Sequence, residues 1–302
     1  MKPKKQPAPK GPPLGLVQNT NAEYHGGPGI SKSKLDAMLA GPRIYWNSYV
    51  NPDREPRKTT PALLLGSATH SAILEPDRFP IDFVVIPDYN LQTKAGRAER
   101  DLFLEECAAA NVVPITADQH ALACGMRDSV FAHPVAGPML GDLRRAGAMA
   151  EQSYYAIDPA TGLLVKCRFD YLLARSGIAL DLKTTRGAKP RDFAKSCATY
   201  GYDRQEAHYR LTYERAIGQG ISRWIFLAVE SAPPFQVGLY TLPAQAVQAA
   251  QAVNADLLRQ ISDCTALDVW PDPAYAGVVE LEMPGWHKRE HEDSAENQFP
   301  EE

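Results

Sequence analysis

The chain has 302 residues, a hydrophobic content of 44% and a formal net charge of −4, which together are typical of a globular protein with a sizeable core. This charge argues against a protein that coats nucleic acid indiscriminately, but it allows an enzyme that combines an acidic metal site with local basic patches. The apolar runs are far shorter than the roughly 20 residues needed to cross a bilayer, and the start lacks the apolar stretch of a signal peptide, so we expect a cytoplasmic protein.

Composition divides the chain into a folded body and two ends. Residues 1–28 are rich in Pro, Gly and Lys, which predicts a flexible arm, and the acidic residues 287–302 predict a flexible tail. The body, residues 29–286, is predicted to be a single domain. Its five cysteines are widely spaced and form no CxxC pair, so neither a disulfide framework nor a zinc site is indicated.

The first part of the body, residues 29–150, is predicted to be mainly helical. One helix begins at Ser31 and ends before Gly41, and a second runs from Thr60 to Pro76 and carries His70. Residues 82–87 predict a short strand, and residues 94–112 and 116–133 predict two further helices from the spacing of their apolar side chains.

The second part, residues 151–286, has the pattern of a sheet. Apolar alternation predicts three consecutive strands in a meander, over residues 151–158, 163–174 and 178–185. A helix from about residue 202 to 217, strands at 223–230 and 236–242, and a long alanine-rich helix from residue 243 follow. This order predicts the α/β class, with a central mixed sheet flanked by helices.

Charged residues interrupt the predicted strands in the segment "RFDYLLARSGIALDLKTT". Asp181 and Lys183 share one face of a strand because residues i and i+2 project together. Asp170 comes from the neighbouring strand and Glu151 from the strand before it.

A carboxylate among apolar residues costs several kcal/mol unless it is paired or bound to a metal. One hypothesis is an oxygen-rich site for Mg²⁺ or Mn²⁺, and the alternative is a structural salt bridge between Lys183 and Asp170 or Asp181.

Several motifs resemble a known nuclease family. The pattern of Asp170, ten intervening residues and Asp181-Leu182-Lys183 is similar to the PD-(D/E)XK nuclease core. "GSATHSAILEP" at 66–76, "PATGLLVKCRFDYL" at 159–172 and "GYDRQEAHYRLTYERA" at 201–216 resemble segments of the exodeoxyribonuclease VIII (RecE-like) nucleases of phages and prophages. The likeness covers roughly residues 24–286 and implies a PD-(D/E)XK fold.

The resemblance also implies roles for individual residues. Metal ligands for two Mg²⁺ or Mn²⁺ ions would be His70, Asp170, Asp181 and the backbone carbonyl of Leu182. Catalytic roles would fall to Lys183, Asp170 and Asp181, and to Glu151, which stands at an acidic position near the metal. Gln205 and Tyr209 would also be catalytic. They are spaced i and i+4 on one helix face, where they would hold the lysine or a DNA phosphate. Phe169 stands where the family usually has proline, which supplies only a local backbone restraint.

A basic segment follows the active-site strand. Arg186, Lys189, Arg191 and Lys195 fall within ten residues, and together with Thr184 they are predicted to hold DNA phosphates. The alternative is an ordinary solvated loop.

By family implication, we expect a metal-dependent exodeoxyribonuclease that digests double-stranded DNA from its 5′ ends and leaves 3′ single strands for recombination. The implied partners are double-stranded DNA ends, further copies of the chain in a homo-oligomeric ring, and a single-strand annealing recombination protein, with no membrane. The alternatives are another PD-(D/E)XK endonuclease, a Cas4-like nuclease and a catalytically silent DNA-binding protein. Scattered cysteines argue against the iron–sulfur centre of a Cas4-like protein.

Overall fold

The protein, as a computed structural model, is described over residues 13–55, 59–272, 277–278, 280–283 and 285. The strands in these ranges are β1 (Gly15–Val17), β2 (Phe83–Val85), β3 (Val113–Ile115), β4 (Met149–Ile157), β5 (Leu164–Leu173), β6 (Ile178–Thr185), β7 (Arg223–Glu230) and β8 (Val237–Tyr240). The α-helices are α1 (Asn21–Gly26), α2 (Lys32–Ala40), α3 (Pro42–Tyr45), α4 (Pro61–Leu74), α5 (Phe79–Asp82), α6 (Lys94–Ala110), α7 (Ala117–Ala132), α8 (Ala136–Arg145), α9 (Pro190–Tyr200), α10 (Tyr202–Ile217) and α11 (Ala244–Leu267). None of these helices combines the length and the apolar character needed to cross a bilayer.

Six strands form the central sheet, in the order β1-β4-β5-β6-β7-β8. β6 and β7 run parallel, whereas the other neighbouring pairs are antiparallel. A parallel pair cannot be joined by a tight turn, so the chain crosses from β6 to β7 through α9 and α10. β2 and β3 form a separate two-stranded parallel sheet. The predicted α/β class, with a mixed central sheet flanked by helices, is confirmed.

Five of these helices have no counterpart in the sequence prediction, namely α1, α3, α5, α8 and α9. α8 contains Gly137, Pro138 and Gly141, residues that weaken a helical pattern. α9 is short and mostly polar, and it buries only two apolar positions, Phe193 and Cys197, spaced i and i+4. Tertiary packing of these few residues therefore decides the structure where local preference does not.

Hydrophobic cores cover both faces of the sheet. On one face, Ile73 of α4, Met126 of α7 and Leu140 of α8 pack with Leu180 and Leu182 of β6. On the other face, α9 and α10 contribute side chains that pack with β5 and β7, namely Phe193, Tyr213, Phe169 and Phe226. The helical part of the chain thus shares a core with the sheet, and this packing places α4 against β5 and β6.

The start of the described chain is held on the sheet. β1 pairs with β4, and Lys166 Nζ on β5 donates to the carbonyl oxygens of Tyr24 and Gly27 at 2.5 and 2.8 Å. Arg168 Nη2 donates to the Asn19 carbonyl at 2.6 Å. The predicted flexible arm over residues 1–28 is therefore wrong for residues 13–28, because backbone pairing and buried cations replace the missing apolar contacts. Residues 1–12 and the predicted tail, 287–302, lie outside the described residues.

A buried histidine joins this region to α10. His208 is 3% exposed, and its Nε2 lies 3.0 Å from the Lys166 backbone carbonyl. A carbonyl can only accept a hydrogen bond, so Nε2 carries the proton and donates it. Burial lowers the pKa of His208 from 6.5 to about 4, which means that the native protein holds the neutral ring.

This histidine predicts a loss of stability in acid. Between about pH 6.5 and 4 the unfolded chain binds the proton that folded His208 excludes, so its contribution to stability is complete above pH 6.5 and falls by up to ~3 kcal/mol as the pH approaches 4. His208→Gln keeps a donor at the end of the side chain and does not titrate. Urea unfolding at several pH values should therefore show a weaker pH dependence for the variant, and equal slopes for the two proteins would contradict the assignment.

Candidate metal centre

Three side chains from three different elements converge beside α4, at the place where strands β5 and β6 separate. His70 of α4, Glu151 of β4 and Asp170 of β5 each present a ligand atom within 4.8 Å of the others. His70 Nδ1 lies 3.6 Å from Asp170 Oδ2. All three are partly exposed, so an ion and a substrate could reach them. The structure thus brings together His70 and Asp170, which were predicted as metal ligands, and Glu151, a predicted catalytic residue whose match to the family motif is weaker.

Asp170 and Asp181 face each other where β5 and β6 separate. The ladder between these strands ends at the pair Tyr171 and Leu180, and Asp170 and Asp181 would form the next pair. Instead, the Leu182 backbone N–H donates to Asp170 Oδ2 at 2.8 Å. A carboxylate therefore takes the hydrogen bond that a continuing ladder would use, and the gap between the strands leaves room for the polar cluster.

Asp181 lies beside the three-residue cluster and is almost fully buried, with 2% of its side chain exposed. Its Oδ2 is 2.5 Å from Lys183 Nζ, and its Oδ1 accepts a hydrogen bond from Gln205 Nε2 at 2.6 Å. The Gln205 amide therefore contacts Asp181, the ion-pair partner of Lys183, and its predicted role in holding the lysine or a DNA phosphate stays a prediction. Apart from this ion pair, the buried Oδ2 has no hydrogen-bond partner among the described residues, and the role of Asp181 as a metal ligand stays a prediction.

The charges of the ligand cluster follow from its burial. Burial and the nearby Asp170 carboxylate raise the pKa of Glu151 to about 7, against the opposing effect of Arg168. Burial also raises the pKa of Asp170. It lowers the pKa of His70 to about 4, with Lys183 acting in the same direction. The imidazole is therefore neutral at physiological pH, the form in which histidine binds metals.

The neighbouring ion pair behaves differently. Burial raises the pKa of Asp181 to about 6, although Lys183 opposes this shift. Burial by itself lowers the pKa of Lys183, but the Asp181 and Asp170 carboxylates outweigh it and hold that pKa above its usual value. In the metal-free protein, Lys183 is consequently an ammonium ion at neutral pH.

These donors fit a divalent cation. Two carboxylates with raised pKa values and a neutral imidazole lie close together, and the Leu182 backbone is near enough to His70 to act on the pKa of its imidazole. A cation would favour the ionised carboxylates and relieve their mutual repulsion. Oxygen ligands suit Mg²⁺ or Mn²⁺, while the imidazole also accepts softer transition ions, so the donor set fits a divalent metal without fixing its identity.

Glu151 has an unusual backbone conformation. Its φ angle is +53°, a left-handed conformation that costs roughly 1–3 kcal/mol for a residue other than glycine. Arg168 holds it there, because Nε of this buried arginine lies 3.2 Å from the Glu151 carbonyl oxygen and 3.3 Å from Oε2. The same guanidinium donates to the Asn19 carbonyl. Sequence reasoning did not single out Arg168, although it lies two residues before Asp170 in a quoted motif.

Two further residues near the site were missed from the sequence. Lys183 Nζ lies 4.8 Å from the ring centroid of Tyr202, and this tyrosine belongs to the quoted segment "GYDRQEAHY", so the signal was available. Glu75, the residue that ends α4, lies close enough to raise the pKa of Glu151. By contrast, Tyr209 packs edge-on against Phe169 and Trp224, in the aromatic core rather than against the lysine.

The predicted DNA-binding residues lie on and before α9. Arg186, Lys189, Arg191 and Lys195 are exposed, and Lys195 Nζ is 3.8 Å from Asp192. Thr184 is partly buried on β6, near Gly66 of α4. The alternative of a plain solvated loop is wrong from Pro190 onward, because that part is helical. Contact with DNA stays a prediction for all five residues.

We expect Asp170→Asn to weaken Mn²⁺ binding at least about tenfold, because the change removes an anionic ligand from the cluster. Calorimetric titration of metal-free protein with MnCl₂ measures the affinity. Asp142→Asn is the matched control, since this aspartate lies on α8 with 72% of its side chain exposed and should leave binding unchanged. Equal affinities for Asp170→Asn and the wild type would contradict the assigned cluster.

Arg168→Lys should also weaken Mn²⁺ binding, by about tenfold. Lysine keeps the positive charge but lacks the forked guanidinium that reaches both Glu151 and Asn19, so Glu151 loses its backbone support. The same titration, with a thermal melt to confirm folding, tests this expectation. Arg127→Lys on α7 changes an arginine paired with its neighbour Asp128 and serves as the control. If the two lysine variants bind Mn²⁺ equally well, Arg168 does not position the ligand.

Comparison with known proteins identifies the family of this chain. Residues 31–282 match the family described as PDDEXK-like domain of unknown function (DUF3799), whereas no curated protein matches the sequence. A crystal structure from Eubacterium rectale, provisionally named an exonuclease, is similar with a TM-score of 0.58, 15% sequence identity and coverage of 89% of this chain and 97% of that chain. Such low identity shows a shared fold alone. Because the family match spans most of the sequence, the chain belongs to the PDDEXK-like family DUF3799, within the PD-(D/E)XK nuclease superfamily.

Proposed function

We propose that the protein is a metal-dependent DNA exonuclease of the RecE-like type. The observation that carries this proposal is the convergence of His70, Glu151 and Asp170 beside the buried Asp181–Lys183 ion pair. A protein that only bound DNA would have no use for this arrangement, because partly buried carboxylates with raised pKa values destabilise the metal-free fold. The motifs that resemble RecE-like nucleases support the finer assignment, as does the name of the similar Eubacterium rectale protein.

The chain's own groups would divide the work of phosphodiester hydrolysis. His70, Glu151, Asp170 and the Leu182 carbonyl would hold the cation, which when bound polarises the phosphate and lowers the pKa of a water ligand. Lys183 supplies a permanent positive charge that offsets the negative charge growing on the phosphate. Gln205 fixes Asp181, and Asp181 in turn fixes the ammonium group of Lys183. Orientation of the lysine therefore depends on a side chain from α10.

The biological setting of this proposal follows the resemblance. The enzyme would start at double-stranded DNA ends, degrade the 5′-terminated strand and leave a 3′ single strand for a single-strand annealing protein. The active site would bind two Mg²⁺ or Mn²⁺ ions, and copies of the chain would form a ring around the DNA. A phage or prophage origin and action in the bacterial cytoplasm belong to the same proposal.

Digestion of linear and closed circular duplexes tests the proposed activity. With Mg²⁺ present, wild-type protein should degrade the linear DNA, release a 5′ label before a 3′ label, and leave the circles intact. Lys183→Ala should reduce the rate by at least about a hundredfold, because it removes charge stabilisation from the transition state. Product release on denaturing gels measures both effects.

The control for this assay is Arg145→Ala, which removes an exposed positive charge from α8 and should digest DNA at the wild-type rate. Cleavage of closed circles would replace the exonuclease proposal with an endonuclease. Full activity in Lys183→Ala would show that the assigned ion pair is not part of the active site.

A further inference from the structure

Three aromatic rings stack in a row from the core to the surface beside the ion pair. Phe226 of β7 is fully buried, at 0% exposure, and its ring centroid lies 5.8 Å from that of Tyr202 with an interplanar angle of 21°. Tyr202 stacks in turn on Tyr200, at 5.9 Å and 26°. Tyr200 ends the row with 58% of its surface exposed. A large aromatic side chain therefore continues a core stack into solvent.

The middle ring of this row also contacts the ammonium group of the ion pair. Lys183 Nζ lies 4.8 Å from the ring centroid of Tyr202, within the range of a cation–π contact. The exposed ring of Tyr200 is thus separated from Lys183 by a single aromatic side chain. A group stacked on the free face of Tyr200 would be separated by two aromatic rings from the ion pair to which the proposed function assigns the phosphate chemistry.

Tyr200 is held in place by its backbone neighbours. It is the last residue of α9, and Gly201, with φ +61°, turns the chain into α10 so that residues 200 and 202 can stack. A residue other than glycine at position 201 would have a strained backbone, and its side chain would meet the guanidinium of Arg204. Lys32 Nζ donates to the Tyr200 carbonyl oxygen and pairs with Asp36 at 2.6 Å. The ring is therefore positioned before any ligand arrives, which reduces the entropy lost on binding.

The surroundings of Tyr200 suit an anionic polymer that carries flat, apolar groups. α9 carries the exposed cations Arg191 and Lys195, of which Lys195 lies 3.8 Å from Asp192, and the helix ends at Tyr200, where Lys32 donates to the backbone. Proteins bind single-stranded nucleic acid through basic side chains that contact the backbone and aromatic rings that stack on bases, and α9 carries side chains of both kinds.

We propose that Tyr200 forms a stacking subsite for an unpaired nucleobase of the DNA strand held at the metal centre. We assign the subsite to an unpaired base, because both faces of a base inside a duplex are covered by its neighbours and a terminal pair leaves only one face free. Recognition would be tolerant of sequence, since every base offers a π face. This inference rests on the proposed function, and it adds that the enzyme engages a frayed or single-stranded end at this tyrosine.

Fluorescence of a modified oligonucleotide tests the subsite. A duplex with a single-stranded end carries one 2-aminopurine, placed in turn at each unpaired position, and is titrated with protein in EDTA so that no cleavage occurs. At one position, wild-type protein and Tyr200→Phe should quench the fluorescence by stacking, whereas Tyr200→Ala should not. Affinity for the single-stranded end should fall about 5- to 150-fold in Tyr200→Ala.

An abasic nucleotide provides a test that does not depend on the folding of a variant. Placed at the position where quenching occurs, it should lower the affinity of wild-type protein to that of Tyr200→Ala and have no further effect on that variant. Phe131→Ala, which removes a ring of 38% exposure from α7, is the matched control and should bind as wild type.

The outcomes separate this inference from the proposed function. Quenching that persists in Tyr200→Ala, or an abasic site that leaves wild-type affinity unchanged, would overturn the subsite while wild-type digestion of linear DNA still supported the exonuclease. If wild-type protein bound no DNA and digested none, the proposed function would fail, and the subsite with it.

Discussion

The structure around the site depends on how two carboxylates are accommodated where β5 and β6 separate. Asp170 and Asp181 lie between packed helices, where an isolated charge would cost several kcal/mol. Each neighbouring element supplies a compensating group: the Leu182 N–H for Asp170, and Lys183 and Gln205 for Asp181. The strands therefore end their ladder at this point because side-chain oxygens have taken over the hydrogen bonding, and the polar cluster occupies the gap.

The crossover between β6 and β7 determines what else can reach the cluster. A parallel connection needs a long segment, and here it contains both α9 and α10. That one segment brings Gln205 to Asp181, places Tyr202 over Lys183, and carries the exposed basic residues. On the opposite face, α4 packs through the core around Ile73 and brings His70 to Asp170. The helices on the two faces of the sheet thus contribute different side chains to the site: the imidazole of His70 comes from one face, and the amide of Gln205 and the ring of Tyr202 come from the other.

The sequence predicted those features that local pattern encodes. Alternation along residues 151–185 indicated the three strands, and the rule that residues i and i+2 share a face correctly put Lys183 next to Asp181. Long-range contacts were not accessible in this way. The contact of Gln205 with Asp181 depends on the angle at which α10 packs, and the ordered segment at residues 13–28 depends on Lys166 and Arg168, which read as ordinary strand residues. The left-handed backbone of Glu151 has no sequence signal, because its support comes from an arginine 17 residues away.

Arg168 connects residues 13–28 to the candidate metal centre. One guanidinium contacts both the Asn19 carbonyl and Glu151, so the docked position of residues 13–28 and the conformation of Glu151 rest on the same group. Two events that depend on one group are energetically coupled, and the coupling is reciprocal. Under the proposed function, one factor would therefore describe both the effect of metal occupancy on the docking of residues 13–28 and the effect of this docking on occupancy.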